Sequence, residues 1–158
     1  MEKRKGGFTI IELIVVMTII LILAGLITGA AQKAKERAMV TKARAMIAAL
    51  ETALGMLQAD EGIYPPSGID KLYSSLTSTA NLTTYGLSTV NWSGPYMNFQ
   101  TNEVSGSNIL DSWGSAYHYA NPSDSSRSGF TNYVDIWSNG PNKTDNNGGS
   151  DDITNWRR

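Results

Sequence analysis

The sequence predicts an α+β protein in which a long N-terminal helix, apolar in its first half and amphipathic in its second, packs on a small antiparallel β-sheet. Three observations carry that prediction. Phe8 to about Asp60 contains no proline and is dominated by good helix formers. Gly62 and the pair Pro65-Pro66 then stop the helix. Beyond them, Ser115–Ala120 and Asn132–Ser138 have the aromatic and β-branched content of strands.

The first half of the helix is defined by charge. Residues 1–7, Met-Glu-Lys-Arg-Lys-Gly-Gly, carry three basic side chains and one acidic one, a net of +2. Glu12 is the only ionisable side chain in the 24 residues from Phe8 to Ala31. At about 1.5 Å per residue that run spans roughly 36 Å, enough to cross a bilayer's hydrocarbon layer. Residues 33–44 then place Lys33, Lys35, Arg37, Lys42 and Arg44 against Glu36, a net of +4. Basic residues flank the apolar run on both sides, so charge alone does not orient it. A cleavable signal peptide is the competing reading, with small residues at Ala24, Gly29 and Ala31. A simple signal anchor explains the basic leader and the apolar run but leaves unexplained a carboxylate inside that run.

The second half of the helix has one apolar stripe: Met39, Ala43, Met46, Leu50, Ala53 and Leu57 recur at three- and four-residue steps. That stripe is core rather than a cofactor site. Ile69–Leu76 reads as a short helix or turn, and Gly94 to Phe99 as a turn entering a strand. The two later strands, joined by the polar segment Asn121–Gly129, read as an antiparallel hairpin in which Val134 and Ile136 alternate with Tyr133, Asp135 and Trp137. Trp113, Trp137 and Trp156 are expected to be core or loop-anchoring aromatics.

Composition narrows the chemistry. The chain has 158 residues, no cysteine, one histidine and a net charge of −1. Thiolate sites, disulfides and a His-rich zinc site are excluded, and a Ser-His-Asp hydrolase is hard to build. No strong basic field invites a nucleic-acid partner. His118, between Tyr117 and Tyr119, reads as a strand residue rather than a base. No segment assembles a nucleophile, a base and an orienting group, so an enzyme is not expected.

Glu12 is the anomaly. An ionised carboxylate in hydrocarbon costs about 2.5–3.5 kcal/mol or more. The next basic residue, Lys33, lies about 30 Å along the helix. A cation from another chain, or a new amino terminus nearby, would offset that cost.

The segment Lys3-Arg4-Lys5-Gly6-Gly7-Phe8-Thr9-Ile10-Ile11-Glu12-Leu13 resembles the processing site of the type IV prepilin superfamily, the pilins and the pseudopilins of type II secretion. The resemblance implies a leader peptide, 1–7, cut between Gly7 and Phe8 by a prepilin peptidase that also methylates the new amino group. It implies a transmembrane and filament-core helix, 8–31, and a periplasmic globular domain, 32–158. The localisation implied is the inner membrane, single-pass, followed by assembly into a filament. Glu12 facing the charged Phe8 terminus of a neighbouring copy would then set assembly, since such a pair is far stronger in a low-dielectric setting than in water. The implied partners are further copies, minor pseudopilins or pilins, the inner-membrane assembly platform and the peptidase.

Four later segments look like the major pseudopilins: Gly62-Ile63-Tyr64-Pro65, Gly94-Pro95-Tyr96, Asp111 to Tyr117, and Asp151-Asp152-Ile153-Thr154-Asn155-Trp156. Three departures stand out: Ser112 in place of a proline, Ser115 in place of an asparagine, and Gly29 where the superfamily often has proline. A surface type IV pilin for adhesion, motility or DNA uptake is the alternative reading. The Ser138–Asp152 loop is rich in oxygen donors and glycine, which suits calcium better than zinc, although it lacks EF-hand spacing. On composition alone a solvated turn is the simpler reading. The resemblance implies one calcium held by Asp151, Asp152 and the Asn139 carbonyl, with Asn142 standing where the family usually has aspartate and Asp145 as a substitute ligand.

Overall fold

The computed structural model describes residues 7–122 and 134–157. The predicted leader up to Gly6, residues 123–129 of the predicted connection and 132–133 of the predicted strand lie outside the described residues.

Helix α1, Ile10–Glu61, is continuous over 52 residues. The chain divides into two units at Ala38/Met39, within this helix. In the first unit the large apolar side chains from Phe8 to Leu23 are exposed, Phe8 to 88%. An exposed apolar surface of that extent marks a membrane or helix-packing surface. The helix is long and apolar enough to cross a membrane.

In the second unit α1 contributes Ala43, Ile47, Leu50, Ala53, Leu54 and Leu57 to a buried core. The predicted stripe is correct at Ala43, Leu50, Ala53 and Leu57, while Met39 and Met46 are only partly buried. Ile47 and Leu54 widen it, because a helix laid on a domain buries an arc broader than one line of residues. The Gly62 N–H donates to the Gln58 carbonyl at 2.8 Å and closes the helix. Helix α2, Ile69–Thr77, buries Leu72, Ser75 and Leu76.

A two-residue hairpin, β1 Val104–Ser105 and β2 Asn108–Ile109, pairs Val104 with Ile109. A three-stranded antiparallel sheet has the order β3–β4–β5: His118–Ala120, Asp135–Ser138 and Ile153–Thr154. His118 pairs with Trp137, and Trp137 with Thr154. The predicted α+β class and antiparallel hairpin are both observed.

Three details correct the sequence reading. Residues 94–99 form no strand: the Tyr96 N–H donates to the Leu76 carbonyl at the end of α2 (2.9 Å), and Pro95 has no N–H for a ladder. Met97 and Phe99 still pack against the core. The predicted strand from Ser115 begins only at His118, although Ala116 bridges to Leu110. Strand β4 is buried at all four positions, rather than on alternate ones. One reason is Trp137, whose ring stacks on His118 and meets Trp156 edge-on on the face opposite Ile136.

Candidate functional site

Two places carry the predicted functional residues. At the helix start, Thr9 and Glu12 form a reciprocal cap. The Glu12 Oε2 accepts from the Thr9 N–H and the Thr9 hydroxyl, both at 2.8 Å, while the Glu12 N–H donates to the Thr9 Oγ1 at 3.3 Å. Thr9-Ile10-Ile11-Glu12 is therefore a capping box, which satisfies N–H groups that the first helical turn cannot pair internally. Among the described residues Glu12 meets no basic side chain; its partners are the local Thr9 donors. The signal for this cap in the sequence is the Thr-x-x-Glu spacing at the start of the apolar run. Phe8 precedes the cap and is exposed.

The second place is the Asp/Asn-rich loop between β4 and β5. Its backbone is unusual. Lys143, Asn147 and Ser150 have positive φ, a conformation uncommon outside glycine. Gly140 and Gly148 also have positive φ, and a Cβ at either would collide, with the Asp151 carbonyl and the Trp156 ring respectively. The loop is thus folded tightly onto the C-terminal segment.

Inside it, Asp151 accepts from the Asn142 N–H at 2.9 Å (Oδ2) and from the Asn142 side-chain amide at 2.5 Å (Oδ1). The same amide nitrogen donates to the Asn146 Oδ1 at 2.9 Å. Asp152 Oδ2 accepts from the N–H groups of Asn146 (3.0 Å) and Gly148 (2.8 Å). Its Oδ1 is buried without a hydrogen-bond partner among the described residues, and the residue is 8% exposed. Burial pushes the Asp152 carboxyl up, against those two hydrogen bonds.

Asn142, Asp151 and Asp152 are therefore brought together, linked through Asn146, which sequence reasoning missed because an unpaired amide in a polar loop carries no distinguishing signal. The side chains of Asn139 and Asp145 stand elsewhere, around His118. The Asn139 Oδ1 lies 2.8 Å from the His118 Nε2, and Asp145 Oδ2 lies 3.9 Å from its Nδ1. Asp145 Oδ1 accepts from the Trp137 indole at 3.0 Å and from the Asn147 N–H at 2.8 Å. Among the described residues no three carboxylate or imidazole groups converge as a metal cluster. A cation here would depend on amide and carbonyl oxygens, which suit a hard ion. The orphaned Asp152 oxygen and the all-oxygen donor set fit calcium and do not fit zinc.

Two further side chains anchor these segments. The Asp111 Oδ1 accepts from the N–H groups of Trp113 (2.9 Å) and Ser115 (2.8 Å), and its Oδ2 from the Ser138 hydroxyl (2.7 Å). Asn155 donates to Glu51 Oε1 of α1 (3.0 Å) and to the Val134 carbonyl (3.1 Å), and accepts from the Ile136 N–H (3.0 Å).

The chain matches the family model described as type II secretion system (T2SS), protein G, over residues 30–156, and the prokaryotic N-terminal methylation motif over residues 3–28. It is 32% identical to the type II secretion system core protein G of Aeromonas hydrophila, over 98% of this chain and 94% of that one. It is also 32% identical to the core protein G of Escherichia coli K12, over 97% and 92% respectively. A crystal structure of the major pseudopilin from the type 2 secretion system of enterohaemorrhagic Escherichia coli matches at 25% identity with a TM-score of 0.49, covering 79% of this chain and 92% of that chain. The alternative of a surface type IV pilin is not the family found. From the methylation motif and capped apolar helix through to Trp156, the chain belongs to the protein G family of type II secretion, the pseudopilins.

Proposed function

We propose that this chain is the structural, non-enzymatic major subunit of a periplasmic pseudopilus that supports protein export. Residues 1–7 are removed between Gly7 and Phe8, Phe8 becomes N-methylated, and the 8–31 helix leaves the inner membrane for the filament core as copies add. The domain 32–158 stays on the periplasmic side. The partners are further copies, minor pseudopilins, the inner-membrane assembly platform and the prepilin peptidase. The observation that carries the reading is the methylation-motif match over residues 3–28, set on a helix whose exposed apolar start contains one carboxylate.

Assembly follows from electrostatics. The Thr9 cap holds the Glu12 carboxylate at the helix start, where the Phe8 amino terminus of an adjoining copy would face it. Loss of one partner of such a pair typically costs about 3–5 kcal/mol, roughly 100-fold or more in association. A head-to-tail contact that does not close generates a filament.

The Asp/Asn-rich loop is the calcium site of this reading, with Asp151, Asp152, the Asn146 side-chain oxygen and the Asn139 carbonyl as donors; Asn142 and Asp145 would have to turn from their present partners to join them. Calcium, when bound, would add a positive charge to a loop whose own hydrogen bonds already fold it onto the C-terminal segment.

Substitution at Glu12 tests the assembly step, because glutamine retains the capping geometry and removes the charge. Glu12→Gln is expected to abolish regular filaments as completely as Glu12→Ala while leaving helix content unchanged by circular dichroism. Filaments of normal yield and order from Glu12→Gln, seen by electron microscopy, would refute the charge pairing. Mass spectrometry of the native amino terminus tests the processing separately: the expected mature chain begins at Phe8 and carries one methyl group.

A further inference from the structure

Asn142 stands at the centre of the loop, and its side-chain orientation is fixed by chemistry. The Thr144 N–H donates to the Asn142 Oδ1 at 2.6 Å, and a backbone N–H can bond only to the oxygen of an amide. The amide nitrogen is therefore committed to the other side. There it donates at once to Asp151 Oδ1 (2.5 Å) and Asn146 Oδ1 (2.9 Å). Two oxygens from separate parts of the loop converge on one N–H₂ group, as they would on a cation. The Asn142 backbone N–H completes the grip on Asp151 through Oδ2 (2.9 Å).

We infer that the Asn142 amide is a built-in stand-in for the cation, so that the loop closes without metal and an incoming ion has to displace that amide from Asp151 and Asn146. The inference rests on the reading of this loop as a calcium site and specifies which side chain governs its metal dependence. An aspartate at position 142 would keep the bond from the Thr144 N–H through one oxygen. Its other oxygen would stand where the nitrogen now stands, against Asp151 Oδ1 and Asn146 Oδ1. Three oxygens with two formal negative charges would then meet with no donor between them. Without a cation that arrangement repels, and with one it coordinates. Position 142 is thus a switch between a self-sealed loop and a metal-requiring one.

The test compares the full chain in detergent with its Asn142→Asp and Asn142→Ala variants, by thermal unfolding in chelator and in millimolar calcium. The unsubstituted chain is expected to shift its midpoint by less than about 2 °C between the two conditions. Asn142→Asp is expected to fall by at least about 5 °C in chelator and to recover in calcium; Asn142→Ala is expected to fall in both conditions. A fall of the unsubstituted chain in chelator as large as that of Asn142→Asp would overturn the inference. So would an Asn142→Asp chain no less stable than the original in chelator. Terbium luminescence sensitised by tryptophan separates the two readings. If Asn142→Asp is weakened in chelator but neither chain gains stability from calcium or luminesces with terbium, the calcium reading fails and the amide's sealing role stands.

Discussion

Asp111 is the single side chain whose removal tests the architecture most directly. It is 8% exposed and receives three hydrogen bonds: from the Trp113 and Ser115 N–H groups on Oδ1, and from the Ser138 hydroxyl on Oδ2. Ser138 Oγ in turn accepts from the Gly140 N–H at 3.1 Å, so the carboxylate couples the 111–115 turn to the end of β4 and to the start of the Asp/Asn-rich loop. Two effects oppose each other in Asp111→Ala. Removing a buried carboxylate recovers its desolvation cost, but three donors lose a charged acceptor, at about 1.5–3 kcal/mol each. The donors win because alanine offers them nothing, and a net loss of about 4 kcal/mol is expected. For a unit the size of Met39–Arg158 that corresponds to a midpoint lower by about 12–20 °C. Asp111→Asn provides the control. Its oxygen still serves Trp113 and Ser115, and its amide nitrogen can donate to Ser138 Oγ, so the cost is about 1–2 kcal/mol. Thermal unfolding of the full chain by circular dichroism reads both. Equal losses for the two variants, or a loss below about 1 kcal/mol for alanine, would show that the carboxylate is not the clasp described.

Two other perturbations have defined outcomes. Asn155→Ala removes the link from the C-terminal segment to Glu51 and Ile136 and is expected to cost about 2–3 kcal/mol in urea unfolding; Asn155→Asp costs more at neutral pH through repulsion from Glu51, and Glu51→Gln relieves that excess. Tyr117 and Tyr119 donate their hydroxyls to the Ala43 and Pro65 carbonyls, and burial pushes both ionisations far above the ordinary value of 10.0. Their contribution to stability is full below about pH 10 and is lost as pH rises above it, so alkaline unfolding should accompany phenolate absorbance, and Tyr117→Phe should move it to higher pH.

The long helix was legible because propensity and apolar patterning agree over more than fifty residues, and Gly62 and the pair Pro65-Pro66 mark its stop. The strands were legible in proportion to their length. Residues of β3 and β4 had enough aromatic and β-branched content to be found, whereas β1, β2 and β5 are two residues each and carry no periodicity. Residues 94–99 misled because aromatic and apolar side chains bury themselves equally well in a packed turn, as Trp92 does by donating its indole N–H to the Ser75 carbonyl (2.9 Å). The Glu12 capping box was visible in its spacing. The clasp roles of Asp111 and Asn155 were not, since each depends on partners from 19 to 104 positions away on at least one side.

By itself the sequence determined the family and the apolar helix with its one carboxylate, because those are local patterns: charge order, composition and spacing along a single segment. Only the tertiary structure decided how Ser112, standing where a proline was expected, donates instead to the Met39 carbonyl of α1 (3.1 Å). It also decided that Asn142 turns its nitrogen, not its oxygen, toward Asp151. The physical reason is the same in both cases. A polar side chain's role is set by whichever donor or acceptor the fold places within about 3 Å of it, and for Ser112 and Asn142 that neighbour lies 73 and 9 positions away in the chain.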